Sequence, residues 1–329
     1  MSNLVKTFPD FWTVDENTNV RSLTRINSGD LIELYEQQFG DRLGFNLLTL
    51  EVQIDDRGLS DLEQSLLYMQ LAKKGLKVGK DSAIDALFTA ALSNSFNPLQ
   101  EYLEKIENNS EVYPTNIETV SKDFLKTSEP LFDRMMKVFL IGAVKRAFER
   151  GCKHDTMLVI KGEQGIGKSS FFKALVPEDS WFTDTPQQNN QKRLMQLQTN
   201  WIVEIAELEN LTTKNEAGEI KALLSSCIDN FCPPYGRKLT RSDRPSVLVG
   251  TCNKDSFLND PTGSRRFHVI RLTNSVDEKI NTELVSTERD AIWKAAILAY
   301  RSGENNFLNF EDQLLSKEFN GDYQIGKPY

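Results

Sequence analysis

One glycine-rich segment has the residue types and the spacing that are needed to bind a chain of phosphates. Residues 162–169 read G-E-Q-G-I-G-K-S and fit the pattern G-x-x-x-x-G-K-[S/T] at every fixed position. In this pattern the lysine reaches the β- and γ-phosphates, and the serine hydroxyl is a ligand of Mg²⁺. The segment predicts a site for ATP and Mg²⁺ whose cofactor-binding residues are Gly162, Gly165, Gly167, Lys168, Ser169 and Ser170.

The sequence on either side of this segment has the context that the motif requires. An apolar run at 157–160 predicts a strand before the glycines, and residues 170–175 predict a helix after them. A strand, a glycine loop and a helix together direct backbone N–H groups and the positive end of a helix dipole at an anion. The context therefore favours a nucleotide site over a chance match in a polar loop.

Phosphoryl transfer also needs a carboxylate near Mg²⁺, and residues 201–207, W-I-V-E-I-A-E, supply two. We expect Glu207 to be the acidic residue that binds Mg²⁺ or activates the attacking water, because it follows a buried strand at its carboxyl end, where ligands bind in open α/β sheets. Glu204 is the second choice, since side chains alternate along a strand and the two would point to opposite faces. Alternatively, both are carboxylates of a solvated edge.

Two further segments contribute groups that act on a phosphate. Asn253 follows the apolar run 246–251, and its amide is expected to bind the γ-phosphate or the attacking water, although Asn is also a common turn residue. Arg265 and Arg266 follow a Pro-x-Gly turn. Arginine stabilises charge on a transferring phosphoryl group and often acts across a subunit interface, the alternative being a plain surface pair.

A short basic segment stands out because the chain as a whole has a formal net charge of −8. An acidic surface does not bind nucleic acid non-specifically, so any DNA contact requires a local basic element. Residues 233–245 provide one, bounded by prolines. We expect either an exposed hairpin that binds a polynucleotide backbone or a solvated loop. The candidate DNA-binding residues are Arg237, Lys238, Arg241 and Arg244.

Composition limits the class of protein. The chain has 329 residues, of which 39% are hydrophobic and 26% charged, as expected for a globular protein with two domains. No apolar run is long enough to cross a bilayer and the start lacks a signal-peptide profile, so no membrane partner is expected. The four cysteines show no metal-ligand spacing, which predicts reduced thiols and a cytoplasmic location.

Periodicity predicts an α/β fold preceded by helices. Residues 1–30 are predicted to be loosely structured, 31–150 a helical domain, 151–310 the nucleotide domain and 311–329 a tail. The apolar stripe of the helix beginning at Pro130 is assigned to packing. In the third region, strands at 156–161, 201–206, 246–251 and 267–271 alternate with helices near 168–175, 190–198, 217–228 and 288–301. Such alternation indicates a parallel sheet flanked by helices.

Several motifs in the same order resemble the virulence-associated protein E family, P-loop proteins of phages and mobile islands that are related to superfamily 3 helicases. The resemblance spans roughly residues 75–301 and includes N-P-L-Q-E-Y-L at 97–103, E-I-A-E-L at 204–208, G-T-C-N at 250–253 and G-S-R-R-F at 263–267. It implies a P-loop NTPase core of AAA+-like type, in a homo-oligomer that is a hexameric ring. The host cell would be bacterial.

The resemblance also implies roles for the residues named above. Lys168 and Ser169 match the phosphate-loop pair, Glu207 the acidic residue, Asn253 the sensor amide, and Arg265 or Arg266 the finger that reaches a neighbour's nucleotide. The basic residues 237–244 match a hairpin that grips single-stranded DNA. No segment before residue 150 resembles a primase active site.

The expected function is thus an ATP-dependent helicase or translocase in phage or mobile-element DNA replication. A nucleotide-gated interaction protein, which binds a replication partner without unwinding DNA, is the alternative. A P-loop kinase for a small metabolite is a third reading, which leaves the basic segment and the paired arginines without roles.

Overall fold

The computed structural model describes residues 8–185, 189–210, 214–232, 240–254, 264–273, 275–321 and 323. The chain forms two compact units, Met1–Pro98 and Leu99–Tyr329. The predicted boundary at residue 150, where the composition changes, therefore differs from the boundary in the structure, which lies at Pro98. The reason is that the helices between residues 99 and 148 pack with the second unit.

The N-terminal unit combines three helices with short strands. Its elements are β1 (Thr13–Val14), β2 (Arg21–Ser22), β3 (Thr24–Arg25), α1 (Ser28–Phe39), β4 (Leu43–Asn46), β5 (Glu51–Ile54), β6 (Arg57–Gly58), α2 (Asp61–Lys73), β7 (Leu76–Lys77), α3 (Lys80–Ser93) and β8 (Ser95–Phe96). Four of the strands form one sheet in the order β6-β5-β4-β8. The segment predicted to be loosely structured contains β1, β2, β3 and the start of α1.

Local sequence explains where the helices of this unit begin. Ser60 and Glu63 form a capping box at the start of α2, in which each side chain binds the other's backbone N–H. The buried side of α2 carries Leu67 and Leu71, whereas Met69 is half exposed. These buried leucines pack into a core shared with α1 and α3.

The C-terminal unit contains the mixed α/β fold. Its elements are α4 (Pro98–Asn108), α5 (Val120–Leu125), α6 (Pro130–Phe148), β9 (Met157–Lys161), α7 (Lys168–Ala174), β10 (Phe182–Thr183), α8 (Asn190–Thr199), β11 (Ile202–Ile205), α9 (Lys214–Ser225), β12 (Ile228–Phe231), β13 (Thr240–Asp243), β14 (Val247–Cys252), β15 (Phe267–Arg271), α10 (Thr282–Arg301) and α11 (Phe310–Gly321). α10 begins six residues before the helix predicted there, and α11 lies mostly within the segment predicted to be a tail.

A five-stranded parallel sheet organises this unit, with the strand order β10-β11-β14-β9-β15. β9 therefore lies inside the sheet, between β14 and β15. Because all five strands run the same way, the segments that follow β9, β11 and β14 leave the sheet at one edge. Polar residues after these three strands are thus brought together, as predicted for an open α/β sheet.

The two faces of the sheet have different partners. On one face Val159, Val203 and Leu248 pack with Leu197 of α8 and Leu224 of α9. On the other face α6 and α10 contact each other, and α6 and α7 lie against the strands. Trp201 and Trp293 pack against each other there, with ring centroids 4.2 Å apart and ring planes tilted by 34°. The sheet is therefore covered by helices on both faces, which confirms the coarse fold expected from the sequence.

α6 is buried along most of its length, which confirms its role in packing. Gly142 allows this helix to approach the segment before β9, because a Cβ at this position would overlap the imidazole ring of His154. Both His154 and His268 are buried, and burial lowers the pKa of His154 to about 3 and that of His268 to about 4. Both imidazoles are therefore neutral at neutral pH.

Two expectations from composition can be compared with the structure. Among the described residues no helix has both the length and the apolarity that crossing a bilayer requires. The four cysteines are free thiols, at positions 152, 227, 232 and 252.

Candidate functional site

The glycine loop joins β9 to α7 at the carboxyl edge of the sheet. Gly165 and Gly167 have φ angles of +85° and +96°, which side chains with a Cβ rarely adopt, so the backbone path requires glycine at both positions. Gly162 is needed for space, since a Cβ there would lie 2.7 Å from Cδ1 of Ile166. Gly165 and Gly167 are therefore required by backbone conformation, and Gly162 by lack of space for a side chain.

Lys168 is directed back onto the loop rather than into solvent. Its Nζ donates to the carbonyl oxygens of Gly162 (2.9 Å) and Glu163 (2.7 Å) and to Oδ1 of Asn253 (2.8 Å). Burial lowers the pKa of this amine, and the nearby Glu209 carboxylate opposes the shift. The structure thus brings the predicted lysine and the predicted amide into direct contact.

Glu204 is the carboxylate that contacts Ser169. Its Oε1 accepts hydrogen bonds from Ser169 Oγ (2.8 Å) and from Thr251 Oγ1 (2.7 Å), and the residue is 0% exposed. Burial raises the pKa of Glu204, while the hydrogen bonds from Thr251 and Ser169 oppose this. Its Oε2 is buried without a hydrogen-bond partner among the described residues. One oxygen beside the serine hydroxyl therefore remains available to a ligand.

The preference for Glu207 over Glu204 needs correction on this geometry. β11 ends at Ile205, and the chain then leaves the strand, with Glu207 in the left-handed region at φ +53° and exposed. Glu204 lies on the face of the sheet that α7 covers, where Ser169 begins the helix. Side chains do alternate along β11, but the strand ends at Ile205, so Glu204 is the member of the pair that lies beside Ser169. Which glutamate binds the metal stays a prediction.

Glu209 is a further carboxylate of the site, which the sequence analysis missed. It lies in the 3₁₀ turn Leu208–Asn210, and its Oε1 accepts from the backbone N (3.1 Å) and Nδ2 (2.7 Å) of Asn253. Burial alone would raise the pKa of Glu209, but hydrogen bonds, including those from Cys252 and Asn253, lower it. Asn253 therefore links Lys168 to a carboxylate that is ionised at neutral pH. Glu209 could have been identified from the sequence, because it is the third glutamate of a closely spaced set at 204, 207 and 209.

Arg265 and Arg266 lie at the opposite edge of the sheet from the glycine loop. They immediately precede β15, whose Phe267 pairs with Met157 at the start of β9, whereas the loop follows Lys161 at its end. Five strand residues correspond to a separation on the order of 16 Å. Within one chain, these arginines do not meet the loop.

The basic segment is part of an antiparallel hairpin formed by β12 and β13, with Phe231 opposite Thr240 and Ile228 opposite Asp243. Arg237 and Lys238 lie outside the described residues. Arg241 is exposed on β13, as expected for a residue that contacts DNA.

Arg244 was predicted to contact DNA, but it is buried at the base of the hairpin. Its Nε and Nη2 donate to the two carboxylate oxygens of Asp229 at 2.9 and 2.5 Å, and its Nη1 donates to the carbonyl of Leu223 at 2.5 Å. Only 2% of the residue is exposed. All three guanidinium nitrogens are therefore used inside the protein, and Arg244 holds the hairpin rather than a polynucleotide.

These groups fit a triphosphate with Mg²⁺ better than a metal held by protein alone. Among the described residues no cluster of three or more His, Cys, Asp or Glu side chains could hold a metal ion. Two hard oxygen ligands are present: the hydroxyl of Ser169 and the carboxylate of Glu204, whose Oε2 has no hydrogen-bond partner among the described residues. Mg²⁺ commonly takes one or two protein oxygens, with substrate phosphates and waters completing its octahedron.

Comparison with known proteins identifies the family. No curated protein sequence matches the chain. Two apo structures of the NrS-1 C-terminal region have the same fold: one is 15% identical with a TM-score of 0.55, covering 90% of this chain and 76% of that chain. The other is 12% identical with a TM-score of 0.52, covering 88% and 75%. The family profile of the virulence-associated protein E-like domain matches residues 104–325, about two thirds of the sequence and all strands of the parallel sheet. The chain therefore belongs to the virulence-associated protein E-like domain family.

Proposed function

We propose that this protein is a P-loop ATPase of AAA+-like type, which acts as a DNA helicase or translocase in phage or mobile-element replication. The observation that carries the proposal is the network at the carboxyl edge of the sheet, in which Lys168, Asn253 and Glu209 form one chain of contacts and Ser169 and Glu204 form another. These residues lie at the end of three separate strands or in the segments that follow them, around the glycine loop.

Each member of the network has a role that its chemistry supports. The loop N–H groups and Lys168 bind the phosphates, and Ser169 and Glu204 hold Mg²⁺, which neutralises charge on the β- and γ-phosphate oxygens when bound. Asn253 and Glu209 orient the attacking water, since an amide and an ionised carboxylate are both suited to this. Glu207 keeps no role in this proposal.

The position of Arg265 and Arg266 supports hydrolysis at subunit interfaces. Because they lie at the edge remote from their own chain's loop, they can stabilise a transferring phosphate only on a neighbouring subunit. A closed ring, in which each subunit faces the next head to tail, places one edge against the other at every interface. We therefore propose a homo-oligomeric ring, of which the hexamer is the form implied by the family resemblance.

The hairpin β12–β13 is the proposed contact with single-stranded DNA. Its exposed Arg241 neutralises backbone phosphate, and the ion pair between Arg244 and Asp229 fixes its base. Rigid attachment is what a lever requires, because movement of the sheet on ATP turnover is then transmitted to the bound strand.

The burial of Arg244 favours a second candidate function. Of the four candidate DNA-binding residues, the structure describes Arg241 and Arg244, and of these two Arg241 is exposed. A weaker grip on DNA is compatible with a nucleotide-gated protein that binds a replication partner without unwinding. The two functions differ in whether single-stranded DNA stimulates ATP turnover.

The proposal is tested by measuring phosphate release from ATP by the full chain, with and without single-stranded DNA and Mg²⁺. We expect Mg²⁺-dependent turnover that DNA stimulates, and its loss in Lys168→Ala, because this variant lacks the cation beside the phosphates. Lys173→Ala is the matched control, since Lys173 lies on the same helix and pairs with Asp179 at the surface. Wild-type turnover in Lys168→Ala would refute the site. Turnover that DNA never stimulates would select the second candidate.

A further inference from the structure

A cavity of about 520 Å³ opens in the C-terminal unit near the amino edge of the parallel sheet, away from the glycine loop. α6, the segment before β9, the turn before β15 and the segment before α11 contribute to it. It is lined by Lys145, Lys153, His154, Asp155, Thr156, Arg265, Arg266, His268, Asn306, Phe307, Leu308 and Gln313. Small-molecule sites commonly have volumes of about 300–1,000 Å³.

The charges around this cavity are unusual for an acidic protein. Four cations, Lys145, Lys153, Arg265 and Arg266, face one carboxylate, Asp155. Among the described residues, none of the four cations forms an ion pair, although surface lysines and arginines elsewhere in the chain do. Because like charges repel at short distance, an anion in the cavity would stabilise this arrangement.

An unpaired guanidinium nitrogen, a fixed amide and an aromatic ring of the cavity also suit a phosphorylated ligand. Arg266 Nε is buried and has no acceptor among the described residues. Asn306 is held in place by its hydrogen bond to the carbonyl of Lys153 at 2.9 Å. Phe307 is 57% exposed at the rim and offers an apolar surface to a ring or a carbon chain. Such a combination of cations, fixed amides and one aromatic rim is typical of sites for small organic phosphates.

We propose that this cavity is a second anion site, which binds a phosphorylated small molecule of up to nucleotide size independently of the glycine loop of its own chain. Lys145 and Lys153 are the cations of this site that the proposed ATPase does not use. The two neutral histidines add hydrogen-bonding groups to its wall without adding charge. Selectivity for phosphate over carboxylate follows from the number of cations, since a phosphate group carries more charge and more acceptor oxygens than a carboxylate.

The test first weakens the glycine-loop site. Binding of pyrophosphate and of ADP, each in EDTA, is measured by calorimetry on the full-length Lys168→Ala protein. We expect about one anion per chain, with affinity at least tenfold weaker when Lys145→Ala and Lys153→Ala are added. A matched control adds Lys192→Ala and Lys317→Ala, two exposed lysines outside the cavity, and should leave the affinity unchanged. Comparing the two probes shows whether the base and ribose contribute or the phosphates alone.

Equal weakening by both double substitutions would show diffuse attraction and overturn the proposal, as would absence of binding to Lys168→Ala at millimolar concentrations of either probe. Because Lys145 and Lys153 are half-exposed or exposed, their replacement should leave the thermal unfolding temperature unchanged. The result does not depend on ATP turnover, so it stands or falls separately from the proposed ATPase.

Discussion

Three glutamates follow each other within six positions, and the structure gives them different environments. Glu204 is fully buried beside Ser169, Glu207 is exposed after the strand has ended, and Glu209 accepts two hydrogen bonds from Asn253. Fully burying a carboxylate is costly unless it is hydrogen-bonded or neutralised by a partner. The buried, incompletely bonded Glu204 is therefore the residue from which a function in metal binding is best argued.

Replacement of single carboxylates distinguishes these environments. We expect Glu204→Gln to lower the ATP turnover rate by about 10²-fold or more, because it removes a charge that acts on the metal and the phosphates. The isosteric Glu207→Gln should retain turnover within about twofold, as an exposed residue away from the chemistry. Phosphate release at several Mg²⁺ concentrations measures both. An inactive Glu207→Gln beside an active Glu204→Gln would return the assignment to the sequence-based preference.

At the scale of elements, the strands β12 and β13 show how one ion pair fixes the position of a two-stranded hairpin. Asp229 on β12 receives hydrogen bonds from Arg244, just after β13, and from Gln198 Nε2 of α8 at 3.0 Å. Arg150 reaches the same region through Gln198 Oε1 at 3.1 Å and the carbonyl of Asp243 at 3.2 Å. The base of the hairpin is thus tied to α8 and to the end of α6.

Arg241 and Arg244, which are three positions apart in the sequence, should therefore behave differently when replaced. Arg244→Met should lower the free energy of unfolding by about 3–5 kcal/mol, because it leaves the Asp229 carboxylate buried without its partner. Arg241→Ala should change this free energy by less than about 0.5 kcal/mol. It should instead weaken single-strand binding and reduce the salt slope by about 0.7. Urea unfolding and salt-dependent binding are the measurements, and an Arg244→Met protein of unchanged stability would contradict the prediction.

The same elements show what the sequence can and cannot predict. The parallel sheet, its helices and the glycine loop follow from periodicity and a fixed motif, which are local properties. The partner of Arg244 is 15 positions away on the paired strand, and only the register of β12 and β13 brings Asp229 to it. The facing of Glu204 toward Ser169 likewise depends on the pairing of β11 with β14, in register Glu204 to Val249. Long-range pairing thus decides which charged residues are buried, and local patterns do not contain it.

At the scale of the whole molecule, the two groups of residues proposed to act on ATP lie at opposite edges of the parallel sheet. The glycine loop is at the carboxyl edge, and Arg265 and Arg266 are at the amino edge. A monomer is then an incomplete catalyst under the proposed function. An assembly in which neighbours are related by rotation completes every site with the same two surfaces.

Mixing of inactive variants tests this arrangement. Subunits with Glu204→Gln and subunits with Arg266→Ala should each be inactive alone. Combined in equal amounts, they should regain activity at about a quarter of the interfaces, where an intact loop meets an intact arginine. Phosphate release across a series of mixing ratios measures the recovery, with two batches of Glu204→Gln mixed as the control. Failure of every ratio to restore turnover would contradict an Arg266 side chain that acts across the interface.

An ammonium group has three protons to give, and in Lys168 each already has a recipient within the protein: two peptide oxygens of the loop and the amide of Asn253. An arriving phosphate must outcompete at least one of them. If it displaces the amide oxygen, Asn253 loses its contact with Lys168 and is held there by its two hydrogen bonds to Glu209, so the segment after β14 can adopt a new position. Binding of the phosphate and movement of the end of β14 would then be coupled. The free energy needed to break the existing Lys168 hydrogen bond would lower the affinity for the phosphate, and the movement would transmit binding to the rest of the sheet.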